Sequence, residues 1–353
     1  MSGLDTMVEQ PTAAEAAARL GRLRRHRRRR FGAVCLALFL AVLTALLVSL
    51  CTGDIALPVG DVWDTLLGGG DAGSRFVVVE LRLPRALSAL LVGFAFGLSG
   101  AVFQALLHNP LASPDVIGVS SGAAAAAVLA SMVYGVTGIA LSGTALVGAL
   151  AAGAGVYLRR GINGQRLVLI GVGVGTGLSS IVSYLMTRSE VTEAQSAFVW
   201  LAGSLNGRSW PQFWPLFGAV AVLAPLTLLG SRALPALQLG DGTAAGLGAR
   251  VERDRLVLLG CATALAGVAT AAAGPVGFVA FVSPPIARRL LPGHGAALLP
   301  AALTGAALVG LADLAGQHAL PHTQLPVGLV TSVVGAPYLL WLLARANRVG
   351  LGG

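Results

Sequence analysis

Residues 22–49 read RLRRHRRRRFGAVCLALFLAVLTALLVS, a dense Arg cluster followed without a break by an uncharged apolar run that begins at Phe31. At about 1.5 Å per residue, a helical run of roughly 20 residues crosses a hydrocarbon core of about 30 Å. Arginines packed against one end of such a run set its orientation and contact anionic lipid. A secretory signal has the same order of charge and apolar residues, but its apolar region is shorter. Leu50 before Cys51 is also not the small residue that a lipoprotein cleavage site requires. Residues 31–51 therefore read as an uncleaved first membrane span.

Outward from this segment, apolar runs divided by Arg, Pro and polar clusters predict nine more spans, at 86–107, 116–134, 139–158, 167–186, 213–229, 256–273, 277–291, 297–315 and 327–343. The composition agrees: 55% of the 353 residues are hydrophobic and 11% charged. The expected fold is all-α and polytopic, with about ten transmembrane helices. Residues 1–30 form an Arg-rich tail without a fold of its own, 31–345 the membrane domain and 346–353 a short C-terminal tail. With both termini cytoplasmic, 19 of the 24 basic residues fall on the inner side and five on the outer. That asymmetry fixes the expected orientation in the cell membrane.

Several chemistries are excluded. All the basic residues are Arg and none is Lys, so neither a Walker A loop nor a Schiff base is possible. Cys35, Cys51 and Cys261 lie apart in apolar runs and read as buried small hydrophobes. His26, His108, His294, His318 and His322 are dispersed, and Pro321 interrupts the one pair at helical spacing, so no catalytic residue, metal site or bound cofactor is expected. The net charge of +9 resides beside the membrane rather than on a nucleic-acid surface. Gly93/Gly97, Gly171/Gly175 and Gly173/Gly177 place small residues four apart, the pattern that lets helices approach in lipid. The glycines of 171–177 lack the strand–turn–helix setting of a dinucleotide fingerprint. Asp313 is the main ionisable residue inside a predicted span. An ion-coupled secondary transporter or a membrane enzyme needs more such groups, so the energy for any transport is expected from a partner.

Four segments carry a resemblance. The first is Leu81-Arg82-Leu83-Pro84-Arg85, leading into a span with Gly93, Ser99, Gly100 and Gln104. The second runs from Asn109-Pro110-Leu111-Ala112-Ser113-Pro114 into Ile117-Gly118-Val119-Ser120-Ser121-Gly122-Ala123. The third is Ala273-Gly274-Pro275-Val276-Gly277-Phe278-Val279 with Ile286-Ala287-Arg288-Arg289. The fourth comprises Leu311-Ala312-Asp313, Leu325-Pro326-Val327-Gly328 and Gly335-Ala336-Pro337. In this order, across residues 31–345, they resemble the FecCD family of iron–siderophore and cobalamin permeases of bacterial ABC importers.

The resemblance implies a type II importer permease fold whose partners are two ATP-hydrolysing subunits, an extracytoplasmic siderophore-binding protein, and a second permease as homodimer or heterodimer. ATP is used by the ATPase, not by this chain. Arg82 and Arg85, with Gln317, are implied at the docking face for the binding protein, where Arg suits carboxylates by bonding them bidentately. Gln104, Asn109, Leu111, Gly274, Pro275, Gly277 and Phe278 are implied along the translocation pathway or its gates. Ala244, Ala245, Leu247, Gly248 and Val251 are implied to couple to the ATPase. By themselves, without the resemblance, Asn109 reads as the cap of an ordinary turn and Gly274-Pro275 as a helix end on the outer face. The chain departs from the family pattern at Gln317 and Gln324, where many members carry Arg and Glu. Pro285 replaces a frequent His and favours ferric siderophore over cobalamin.

Overall fold

The computed structural model describes residues 13–53, 55–158, 164–320 and 323–350. These fold into fifteen α-helices with no β-strand among the described residues. They are α1 (Ala13–Cys51), α2 (Val59–Leu66), α3 (Ala72–Arg75), α4 (Leu83–Leu106), α5 (Val119–Tyr134), α6 (Gly138–Leu158), α7 (Gly164–Arg188) and α8 (Val191–Leu201). The second half holds α9 (Trp210–Gly230), α10 (Leu234–Leu237), α11 (Asp241–Gly246), α12 (Val251–Ala273), α13 (Val279–Leu290), α14 (Leu298–His318) and α15 (Val327–Gly350). Each of the ten expected spans coincides with a helix. Seven are long and apolar enough to cross a membrane, while Val119–Tyr134 and Val327–Leu342 are shorter apolar helices.

The central element is α4. All of residues 92–106 except Phe94 are buried, and α14, α12, α13 and α9 surround them. Lipid removes the hydrophobic drive between helices, so close backbone contact has to supply the cohesion. The glycines provide it: a Cβ on Gly93 would lie 2.2 Å from the Gly305 carbonyl oxygen, and one on Gly97 2.3 Å from that of Ala301. Gly100 likewise sits against Ala280 and Gly171 against Ile117. Gly173 and Gly177, however, meet nothing within 4 Å, so that pair packs no helix within this chain.

Three elements differ from the sequence-based expectation. Residues 13–30, expected to lack a fold, continue α1 as helix. Ala and Arg are strong helix formers, and a membrane-anchored helix supplies the nucleus from which they propagate. The helix around Arg85 also begins earlier than residue 86. α3 runs into a π-helical segment, Phe76–Arg82, and then into α4, with Pro84 in the first turn. The wide π turn accommodates the missing N–H of Pro84, which a pattern-based boundary treats as a stop. Finally, α8 occupies a stretch expected to be an extramembrane connection. Its Glu193 and Gln195 mask the apolar residues that seat it on α5 and α7.

α1 relates the two ends of the bundle. Near its C-terminus the Leu50 carbonyl accepts from Arg82 Nη1 at 2.8 Å, and in its first half, just before the apolar run, Arg27 donates to the Gly293 carbonyl. The 23 residues between them span about 35 Å of helix, comparable to a bilayer. Arg82, Arg85 and Arg208 lie at the first end. The turn 107–118, the segment 231–250 and the α13–α14 turn lie at the other, the Arg27 end. Arg159, Arg160 and His322 fall outside the described residues.

Candidate functional site

At the Arg85 end, a polar cavity of about 350 Å³ is lined by Glu80, Arg82, Arg85, Arg208, Gln317 and Gln324, among others. Arg85 is not free within it. Its guanidinium grips Asp313 bidentately, Nη2 to Oδ1 at 2.9 Å and Nε to Oδ2 at 3.1 Å, with both side chains largely buried. Arg85 Nη1 donates to Gln324 Oε1 at 2.6 Å, and Gln317 Nε2 donates to Asp313 Oδ2 at 2.7 Å. The two glutamines that depart from the family pattern thus complete a network joining α4, α14 and the α14–α15 connection. This also accounts for Asp313 inside a span: its charge is neutralised by Arg85 rather than held for a passing ion.

Arg82 donates to the carbonyl oxygens of Leu50 and Ile55, which orient the group at the cavity wall. Arg208, half-buried on the α8–α9 connection, differs again. Its Nε is fully buried with no hydrogen-bond partner, and burial lowers the guanidinium below its usual range. Motif reading passed over Arg208. Its one signal was an Arg on the side where few basic residues were expected.

The Gly274 break lies at the same end. α12 stops at Ala273, followed by Gly274 at φ +75°, where a Cβ would lie 2.3 Å from the Trp200 carbonyl oxygen. Gly203, at φ +72°, packs against the Pro275 carbonyl, and Gly328 N donates to Gly203 O at 3.0 Å. Three chain segments therefore meet backbone to backbone, which only glycine allows. Gly277 follows with Ser332 beside it. Phe278 caps α13 at φ 67°, a left-handed conformation costly for an aromatic residue, and its ring carbons press on Gly335 of α15. Beyond Phe278 lies an apolar cavity of about 310 Å³ between α13, α14 and α15.

Gln104 and Asn109 sit away from this junction. Gln104 is buried, donating through Nε2 to Phe281 O at 3.0 Å and accepting from Arg288 Nη2 at 2.6 Å. It locks α4 to α13 with both ends of its amide engaged. Asn109 Oδ1 accepts from Leu111 N at 2.9 Å, the geometry of a capped turn. Leu111 is exposed beside it. Asp115, in the same turn, accepts a hydrogen bond from Ser120, and burial pushes its carboxyl above the usual carboxylate range.

At the Arg27 end, α11 forms one short turn of helix within the segment expected to couple to a partner. Ala244 points into the core and Val251 is half-buried at the start of α12. Ala245, Leu247 and Gly248 face outward, Leu247 being 66% exposed, with Gly248 at φ +84° ending the turn. Arg255 anchors the turn through Asp241 at 2.6 Å. An exposed leucine flanked by small residues on a braced turn is an apolar knob available to a groove.

Comparison with known proteins gives a consistent answer. The ferric enterobactin transport system permease protein FepG of Escherichia coli (strain K12) is 40% identical over 91% of this chain and 98% of its own length. The iron(3+)-hydroxamate import system permease protein FhuG of Bacillus subtilis (strain 168) is 35% identical over 88% of this chain and 96% of its own. Among solved structures, a metal-chelate type ABC transporter in an inward-facing conformation superposes with a TM-score of 0.78 at 27% identity, over 89% of this chain and 99% of that one. These relatives are transport permeases rather than enzymes, and with the membrane-length helices they make this a multi-pass membrane protein. Residues 40–345 match the FecCD transport family, and the chain, whose glycine junction and Arg82-Leu83-Pro84-Arg85 helix start lie within that match, belongs to it.

Proposed function

We propose that this chain is the permease subunit of an ABC importer for ferric siderophores. The observation that carries the substrate class is the 40% identity, over nearly its whole length, to a permease named for ferric enterobactin. Partner ATPases, two in number, supply the energy that a chain whose main intramembrane carboxylate, Asp313, is already paired does not generate. Both termini are cytoplasmic, which places the arginine-rich Arg27 end inside in accord with the charge asymmetry. A second permease, of this chain or a related one, lies against the apolar face of α7 around Gly173 and Gly177, closing a pathway between the two subunits.

Within that assembly, an extracytoplasmic binding protein docks at the polar cavity of the Arg85 end. Arg208 offers it positive charge, Arg82 and Gln317 hydrogen bonds, while the charge of Arg85 is held by Asp313. The strained Phe278 and the Gly274-Pro275-Gly277 junction serve as the gate region, since strain of this kind collects at moving parts. Asn109, Leu111 and Gln104 hold the opposite end of the pathway. Leu247, with Ala245 and Gly248, seats in the ATPase, while Ala244 and Val251 brace the turn behind them.

The test is reconstitution in liposomes with the ATPase, internal ATP, the binding protein and either ferric siderophore or cobalamin. ATP-dependent accumulation of the iron chelate is expected. Accumulation with the ATPase omitted would overturn the ABC reading, and uptake of cobalamin alone would overturn the substrate class.

A further inference from the structure

We infer that the cleft between α1 and the α13–α14 turn binds the phosphate of an anionic phospholipid headgroup. The cleft, about 400 Å³, is lined by Arg24, Arg27, Arg28, Phe31 and His294. The four α1 residues are spaced three, one and three apart, so they share one helix face. Arg22, Arg25 and Arg29 lie on the opposite face. This is a built recess rather than a diffuse basic surface, because the turn is fastened to the helix at three points. Arg27 donates to Gly293 O, His294 Nε2 lies 3.2 Å from Arg27 O, and the His294 ring stacks on Phe31 at 6.1 Å with 24° between planes.

The donors left over decide the ligand. Both ring nitrogens of His294 face backbone carbonyl oxygens, Nε2 that of Arg27 and Nδ1 that of Pro292 at 3.2 Å, so the ring can donate to one or other of these carbonyls and turns a wall, not a donor, to the recess. Arg24 and Arg28 are exposed and unpaired among the described residues, and each carries five N–H donors. No carboxylate lines the recess. Two forked donors one helical turn apart, lining one cleft beside an aromatic wall, match a phosphate.

Depth favours a lipid over a free anion. Phe31 opens the apolar run, so it marks the edge of the hydrocarbon. Arg28 and Arg24 lie about 4.5 Å and 10 Å farther along the axis, at about 1.5 Å per residue. The headgroup layer occupies about 5–7 Å on each side of the core, which puts Arg28 within it and Arg24 within reach from its outer border. Phe31 then receives the glycerol and first acyl carbons. The choline of a zwitterionic lipid would bring positive charge toward Arg24, so phosphatidylglycerol is preferred to phosphatidylcholine. A lipid held here bridges α1 to the turn between α13 and α14. This inference holds whichever end of the bundle is cytoplasmic.

Native mass spectrometry of the purified full-length permease, titrated with phosphatidylglycerol, phosphatidylcholine or inorganic phosphate, tests it. A discrete one-to-one phosphatidylglycerol adduct is expected. Arg24→Gln with Arg28→Gln should weaken that adduct about tenfold or more, while Arg25→Gln with Arg29→Gln, which removes the same charge, should leave it unchanged. Thermal unfolding in lipid-free detergent, expected to be alike in both double variants, verifies that each is folded. Equal weakening by the two pairs would overturn the site in favour of diffuse attraction. Equal retention of phosphatidylcholine, or displacement of the lipid by millimolar inorganic phosphate, would overturn the headgroup assignment.

Discussion

Arg85 shows how a residue's neighbours decide what its charge is available for. Its motif, with Pro84 one position before it, is visible in the sequence, but the partner that absorbs its charge lies at Asp313, on another helix. No local pattern links positions so far apart, so the motif marks this end of α4 without revealing that one of its arginines is already engaged. Removing one member of a buried ion pair leaves the other uncompensated, which costs about 3–5 kcal/mol. Asp313→Asn should therefore lower the thermal unfolding temperature in detergent markedly. A combined Arg85→Met and Asp313→Leu replacement should recover most of that loss; a double variant as unstable as the single one would assign the cost to packing. Arg208 predicts the complementary pattern. Arg208→Gln should leave unfolding nearly unchanged or raise the midpoint, because a desolvated cation is removed, while weakening capture of the binding protein. Asp115 adds a pH test with a definite sign. A carboxyl whose folded pKa is raised contributes stability below its unfolded value, about 3.9, and loses it as pH rises through the folded value. Asp115→Asn keeps the acceptor for Ser120, so it should be at least as stable as the wild type at pH 7.5. That advantage should vanish near pH 4, as read by unfolding midpoints at the two pH values.

Glycine spacing identifies helices that approach closely but not which neighbour they approach. The pairs in α4 and in α7 look alike as sequence, yet Gly97 has a carbonyl 2.3 Å from where a Cβ would sit and Gly177 has open space. Gly97→Val should thus separate α4 from α14 and abolish recovery of folded protein from the membrane. Gly177→Val should leave the isolated permease intact and instead impair its pairing with a second permease, measured by size-exclusion chromatography with light scattering. Intact pairing in that variant would move the permease interface off this face of α7. The same limit explains which elements were legible. Long apolar runs bounded by Arg and Pro located a helix at each of the ten expected spans, seven of them long and apolar enough to cross a membrane, because burial in lipid writes a strong composition signal. α8 and the π-helical entry to α4 were missed because each depends on packing that overrides a local stop signal. The Gly274 junction was legible as a break, whereas its closure by Gly203 and Gly328 was not, since three separate segments have to fold before they meet.

For the molecule as a whole, the distribution of charge and the position of the exposed Leu247 turn make a single claim about direction. The Arg27 end collects the N-terminal arginines, the Asn109 turn and α11, and the opposite end holds the polar cavity with Arg82 and Arg208. If the first faces the cytoplasm, a lone Cys at position 245 in a background lacking Cys35, Cys51 and Cys261 should resist an impermeant thiol reagent applied outside intact cells. A lone Cys at position 75, exposed on α3, should react. Leu247 then gives the same orientation a mechanical consequence. An apolar side chain 66% exposed on a turn braced by Arg255 and Asp241 is stable only if a partner covers it or water tolerates it. Leu247→Asp puts a charge where an apolar groove is expected, at a cost of about 2–4 kcal/mol to that interface, and Gly248→Trp overfills it. Both residues have open space around them within this chain, although φ +84° at Gly248 adds backbone strain to the second variant. Leu247→Asp is therefore the cleaner probe: the permease should fold and still capture the binding protein, yet lose co-purification of the ATPase and ATP-driven uptake together. Uptake and ATPase retention at wild-type levels in Leu247→Asp would place the coupling surface elsewhere on the Arg27 end, and labelling of position 245 from outside would reverse the assignment of both ends at once.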